Sequence, residues 1–87
     1  MGDKLIEVAE ALVGKEVHVT VTGYGFSVAN DWMHLDGYRN AKDEVVLCFD
    51  GMFLGLSEDK VVQVLWDKEE RECTLFFGLN AKILLNY

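Results

Sequence analysis

Cys48, Cys73, His18 and His34 are the side chains whose chemistry could carry a reaction or hold a metal ion. A nucleophilic thiolate needs a base beside it and a group that orients that base. A zinc site needs ligands paired a few residues apart, as in C-x-x-C or H-x-x-x-H clips. No two of these residues lie within four positions of each other, so neither arrangement is written locally. Cys73 follows Glu69, Glu70 and Glu72, whose charge raises a thiol pKa. Ser27 and Ser57 lie in no nucleophile-elbow pattern. Gly23-Tyr24-Gly25 lacks the Lys-Ser/Thr of a phosphate loop and reads as a tight turn or bulge between strands. The carboxylates Asp43/Glu44, Glu58/Asp59 and Glu69/Glu70/Glu72 read as solubilising charge, without the ligand ladder of an EF-hand. The expectation is a non-enzyme with no metal and no cofactor. A thiol enzyme using Cys48 or Cys73 with His34 or His18 is the rival reading.

Charge bounds the partners. Fifteen Asp and Glu stand against eight Lys and Arg, a net −7 on 87 residues. Such a surface repels nucleic acid and anionic membrane and favours basic or neutral partners. The basic residues stand singly along the chain, whereas a phosphate backbone is bound by clustered positive charge. The reading is therefore no direct nucleic acid and no membrane. Apolar runs such as Val45–Phe49 and Met52–Leu56 are strand-length, far short of the roughly 20 residues of a membrane helix. Met1-Gly2-Asp3-Lys4 does not open like a signal peptide, so a cytoplasmic protein is expected. Both cysteines sit in apolar runs and read as buried, reduced thiols. A Cys48–Cys73 disulfide would need neighbouring strands.

The positioning elements follow from periodicity. Leu5, Val8, Ala9 and Leu12 fall on one helical stripe, which predicts a helix over 3–13 with Asp3 as N-cap and Gly14 past its end. From Lys15 the period becomes two: Val17, Val19 and Val21 alternate with polar residues, as in a half-buried strand. Asp36-Gly37 and Asp50-Gly51 each read as a two-residue type I′ hairpin turn, with positive φ at both residues. Three valines in Val61, Val62 and Val64 favour strand over helix for 60–67. Further strands are expected over 26–29, 44–49, 52–56, 72–78 and 81–87. The fold class is α+β in a single domain, 1–87: an N-terminal helix packed on a mostly antiparallel curled sheet or small barrel of five to seven strands.

The entry Leu12-Val13-Gly14-Lys15-Glu16-Val17, from a helix into a first strand, is similar in outline to the Sm-like small barrels. The likeness is one of shape. It implies a self-associating structural or adaptor module as an alternative function, but the stretches that carry RNA contacts in that family are missing here.

Partner binding is read in two places. Asn30–Asp43 reads as a long loop carrying Trp32, Tyr38 and Arg39, residue types that anchor interfaces. The opposing reading is that Trp32, Leu35 and Tyr38 fold back to close the core. Asp43, Glu44, Asp50, Glu58 and Asp59 lie in a stretch without Lys or Arg between 43 and 59, and read as an acidic rim. Together they predict a protein partner with a basic surface. In its sharpest form the chain is an inhibitor or nucleic-acid mimic occupying the basic groove of a nucleic-acid-handling protein, as phage-type anti-defence proteins do. A homodimer or ring through an edge strand at Ala81–Tyr87 is the remaining expectation.

Overall fold

The computed structural model describes residues 2–78 and 80–87. One helix, α1 (Gly2–Leu12), precedes eight strands. These are β1 (Glu16–Gly23), β2 (Phe26–Ala29), β3 (Met33–Ala41), β4 (Glu44–Phe49), β5 (Met52–Ser57), β6 (Gln63–Asp67), β7 (Glu72–Phe76) and β8 (Ala81–Asn86). The helix forms on the predicted stripe: Leu5, Val8, Ala9 and Leu12 are its buried residues. Asp3 lies inside the first turn and not at the cap, where its charge complements the helix dipole. Gly14 takes φ +85°, and its N–H donates to the Leu35 carbonyl at 2.8 Å, fastening the helix end to β3.

The strands form one antiparallel sheet in the order β5-β4-β3-β1-β8-β7-β6, with β2 paired to the far end of β1. The sheet is open and not a closed barrel, and its eight strands exceed the expected five to seven. The excess comes from 33–41, expected as loop and found as β3. Asp36-Gly37 makes no hairpin there. Leu35 faces Phe49 and Gly37 faces Cys48, so Asp36 is an extra residue in a β-bulge. Asp50-Gly51 does turn the chain between Phe49 and Met52, but only Gly51 has positive φ (+81°), so the turn is not type I′. That geometry belongs instead to Tyr24-Gly25, at φ +50° and +86°, joining β1 to β2.

Alternation then builds the core. Val17 and Val19 of β1, Val45, Leu47 and Phe49 of β4, Cys73 and Leu75 of β7, and Ile83 and Leu85 of β8 pack with the helix stripe in one cluster. No polar or charged residue is buried among the described residues. Cys73 and Cys48 are both free thiols; Cys73 is buried, but Cys48 is half-buried because it points to the other face of β4. β4 and β7 are not sheet neighbours. β8 is bonded to β1 on one side and β7 on the other, so Ala81–Tyr87 is not a free edge. The ends of the sheet are β5 and β6. No helix among the described residues is long and apolar enough to cross a membrane.

Candidate functional site

The acids of the 43–59 stretch do not form one rim. Asp43 and Glu44 sit at the β3–β4 turn, and Glu58 and Asp59 follow β5 beside them; the Glu58 N–H donates to the Asp43 carbonyl at 2.9 Å. Asp50 occupies the β4–β5 turn at the opposite end of β4. With β4 covering 44–49, Asp50 lies about 20 Å away at roughly 3.3 Å per residue. The segments carrying Asp43, Glu44, Glu58 and Asp59 meet at one end of the sheet and Asp50 lies at the other, but Glu44 points to the Val46 and Gly55 face while Glu58 sits on the helix side with Asp43.

Glycines make room for this cluster. A Cβ on Gly2 would lie 2.7 Å from the Glu58 carboxyl, so Glu58 sits against the start of α1. A Cβ on Gly55 would lie 3.0 Å from Glu44 Oε2. A shallow pocket of about 430 Å³ opens between the helix start and the β3–β4 turn, with Asp3, Lys4, Asn40, Asp43 and Glu58 on its walls. The Ser57 hydroxyl donates to Asp59 Oδ1 at 2.8 Å. That bond, and next a backbone N–H, hold the Asp59 carboxyl below its ordinary pKa. The result is an exposed acidic end in which one carboxylate is fixed by a hydroxyl and two are seated on glycine.

The three aromatic and basic anchors separate. Trp32 is 56 % exposed, just before β3, and its ring lies 5.5 Å from that of His18 at a 44° tilt. Tyr38 faces Leu47 and packs half-buried against the core. Its hydroxyl pKa is raised, first by that burial and then by the Glu10 carboxylate. Leu35 is fully buried. So Leu35 and Tyr38 do close the core, while Trp32 stays outside it. Arg39 points to the other face of the sheet, its Cζ 5.3 Å from the centre of the Phe53 ring. Phe53, 67 % exposed, was not singled out by sequence; its only signal is a large apolar residue on the wrong beat of an alternating strand.

Because Trp32 makes so little of the core, Trp32→Ala is expected to change the unfolding free energy by about 0.5 kcal/mol or less, as for a surface site. Urea denaturation measures this directly, and a loss of several kcal/mol would place Trp32 in the core.

Cys73 is fully buried, and burial pushes its thiol up to about 11, against a smaller opposing pull from Lys4. His34 lies 3.8 Å from both Glu16 and Asp36, on the exposed side of β3. Among the described residues no group of three or more His, Cys, Asp or Glu side chains is placed to hold a metal ion. Sequence reading also missed a cluster formed by Trp66, Tyr87 and their surrounding cations. Its one legible hint is the proximity of Lys68 and Arg71 in the chain.

Comparison with known proteins adds no relative: no family model matches this chain, and neither does any curated protein or solved structure.

Proposed function

We propose that this chain is a non-enzymatic protein-binding domain whose acidic end engages a basic surface on a partner. The observation that carries the reading is the gathering of Asp43, Glu44, Glu58 and Asp59 at one exposed end of the fold. Carboxylates concentrated at one end of the sheet, on a chain of net −7, present the charge that a phosphate-binding groove accepts. The partner is then a nucleic-acid-handling protein, and binding is inhibition by mimicry, in the cytoplasm. Trp32, exposed and unclaimed by the core, is a second contact. Asp50 lies away from the acidic end and is peripheral to it; Arg39 stands two residues before Ala41, the partner of Glu44, but its side chain turns to Phe53. Tyr38 serves the core first.

Affinity capture from host lysate at low and high salt tests this. A basic nucleic-acid-handling protein is expected to be held at low salt and released at high salt. Asp43→Asn/Glu44→Gln/Glu58→Gln is expected to lose that capture, while Asp50→Asn keeps it. Capture that ignores salt, or that survives the triple substitution in a protein with an unchanged melting temperature, overturns the reading.

A self-associating module is the second reading. The observation favouring it is β5: a terminal strand of the sheet, Met52–Ser57, with no charged residue to guard its open backbone edge. A defined dimer or ring in native mass measurement at micromolar concentration would favour it.

A further inference from the structure

Among the described residues, β2 is the one strand with no buried or half-buried side chain: all of Phe26–Ala29 is exposed. Its residue types do not call for that. Phe26 and Val28 stand opposite Gly23 and Val21 of β1, so they share the face on which Val17 and Val19 are buried. Beyond Val19 that face runs out of cover. Val21 is 36 % exposed, Val28 54 % and Phe26 58 %, and Tyr24 in the turn is 83 % exposed. The helix covers β3 and β4 instead.

The backbone of β2 is equally unclaimed. Its sheet neighbour is β1, on one side. The Asn30 N–H donates to the Val19 carbonyl at 3.1 Å, and Val28 and Phe26 follow on the same beat, opposite Val21 and Gly23. In an antiparallel pair the residues between, Ser27 and Ala29, then turn their N–H and C=O groups away from β1. No lysine, proline or bulge guards this edge; its shortness is its one protection.

Charge points to the occupant. Val17–Asn30 holds no Asp, Glu, Lys or Arg, the longest such stretch in a chain of net −7. Elsewhere two copies repel each other, but along this arm they meet without like charges in contact. A basic partner is drawn by carboxylates, and the arm offers none. An anionic membrane is repelled by the rest of the molecule.

We propose that β2 pairs with the β2 of a second copy, antiparallel, about a two-fold axis at Val28. The strand is complementary to itself in that register. Ser27 of one copy faces Ala29 of the other, and the two exchange backbone hydrogen bonds in both directions. Val28 meets its own counterpart in the narrow pair between them, where side chains come closest. On the core side, Ile83, Val21 and Val28 of both copies then form one apolar row across the seam, with Phe26 beside it. The two Asp31 carboxylates, the first charges past the strand, stay about 20 Å apart at roughly 3.3 Å per residue. Each copy spends its open β2 edge on the other, so assembly stops at a pair. The β5 edge plays no part in it. With aromatic side chains at about 150–250 Å² each, the arm offers up to roughly 500 Å² per copy. About 1,000 Å² hidden in all suits a weak, concentration-dependent dimer and not an obligate one.

Sedimentation velocity from low to high micromolar concentration reads this directly. The native chain is expected to pass from the mass of one chain to that of two and no further. Added salt is expected to leave the association unchanged or to tighten it, by screening the two net charges. Val28→Lys sets like charges face to face at the axis, and Ala29→Pro removes an outward N–H while sparing the bonds to β1. Both positions are exposed, and each substitution is expected to weaken the dimer at least about tenfold. Phe53→Lys, at an exposed position of β5, is expected to leave it intact. An unchanged circular dichroism spectrum establishes that a variant is folded. A monomer throughout, which would leave the β2 edge to a strand of another protein, overturns the proposal. So does a dimer that survives either folded substitution, that Phe53→Lys abolishes, or that salt dissolves.

Discussion

Leu12→Ala is expected to destabilise the fold by about 3 kcal/mol, in the middle of the range for a fully buried leucine. Leu12 is completely buried at the end of α1, which lies against β3 and β4. Its loss leaves a cavity between helix and sheet at the point where Gly14 is bonded to Leu35. A helix of 11 residues is marginal alone, so its stability is tertiary, and weakening its seat weakens the whole domain. The melting temperature is expected to fall by about 4–8 °C per kcal/mol for a domain of this size. Urea unfolding with an unchanged slope and a lower midpoint confirms it; a loss below about 1 kcal/mol would mean that the helix is not docked as described.

The second large effect concerns the thiols. Alkylation of the native protein at pH 8 is expected to modify Cys48 and spare Cys73. The Cys73 side chain is wholly buried, and its pKa rises from 9.0 to about 11. Two pKa units mean about a hundredfold less thiolate, before access is counted. The same shift has a thermodynamic face. A thiol with a raised folded-state pKa favours folding in its neutral form. Its contribution is full below pH 9 and fades as the pH climbs toward 11. The stability advantage of the native chain over Cys73→Ala is therefore expected to shrink by on the order of 2–3 kcal/mol across that window. Equal labelling of both thiols, or stability curves that stay parallel from pH 9 to 11, would contradict it.

Helical and strand periodicity were legible because each is a local property. The stripe Leu5, Val8, Ala9 and Leu12 is buried as its spacing requires, and Val17 and Val19 face the core as their alternation requires. β3 was not legible, because its alternation breaks in the middle. The bulge at Asp36 shifts the beat, so that Leu35 and Tyr38, three apart, both serve the core. Read without a partner strand, Asp-Gly looks like a turn; only the pairing with β4 shows that the chain runs straight through. The candidate site was legible only where it is local. Asp43/Glu44 and Glu58/Asp59 were visible as runs, but that they meet, and that Asp50 does not, depends on which way the β4–β5 hairpin points. The union of Trp66 with Tyr87 spans 21 positions and a whole intervening strand, so no window along the chain contains it.

The central pairing of the sheet has a consequence for how the chain reaches this state. β1 and β8 lie side by side, His18 opposite Asn86 and Gly23 opposite Ala81, with all six other strands between them in sequence. The hairpins β3–β4–β5 and β6–β7–β8 can each zip up locally, but the seam that joins them closes last, after the longest loop. Such non-local closure belongs to the slow end of two-state folding, in milliseconds to seconds. With no proline, the chain has no isomerisation step to hide behind, so that one closure sets the pace. On the ribosome, the side of β1 that pairs with β8 stays open until β8 has emerged, although β2 and β3 are already at hand.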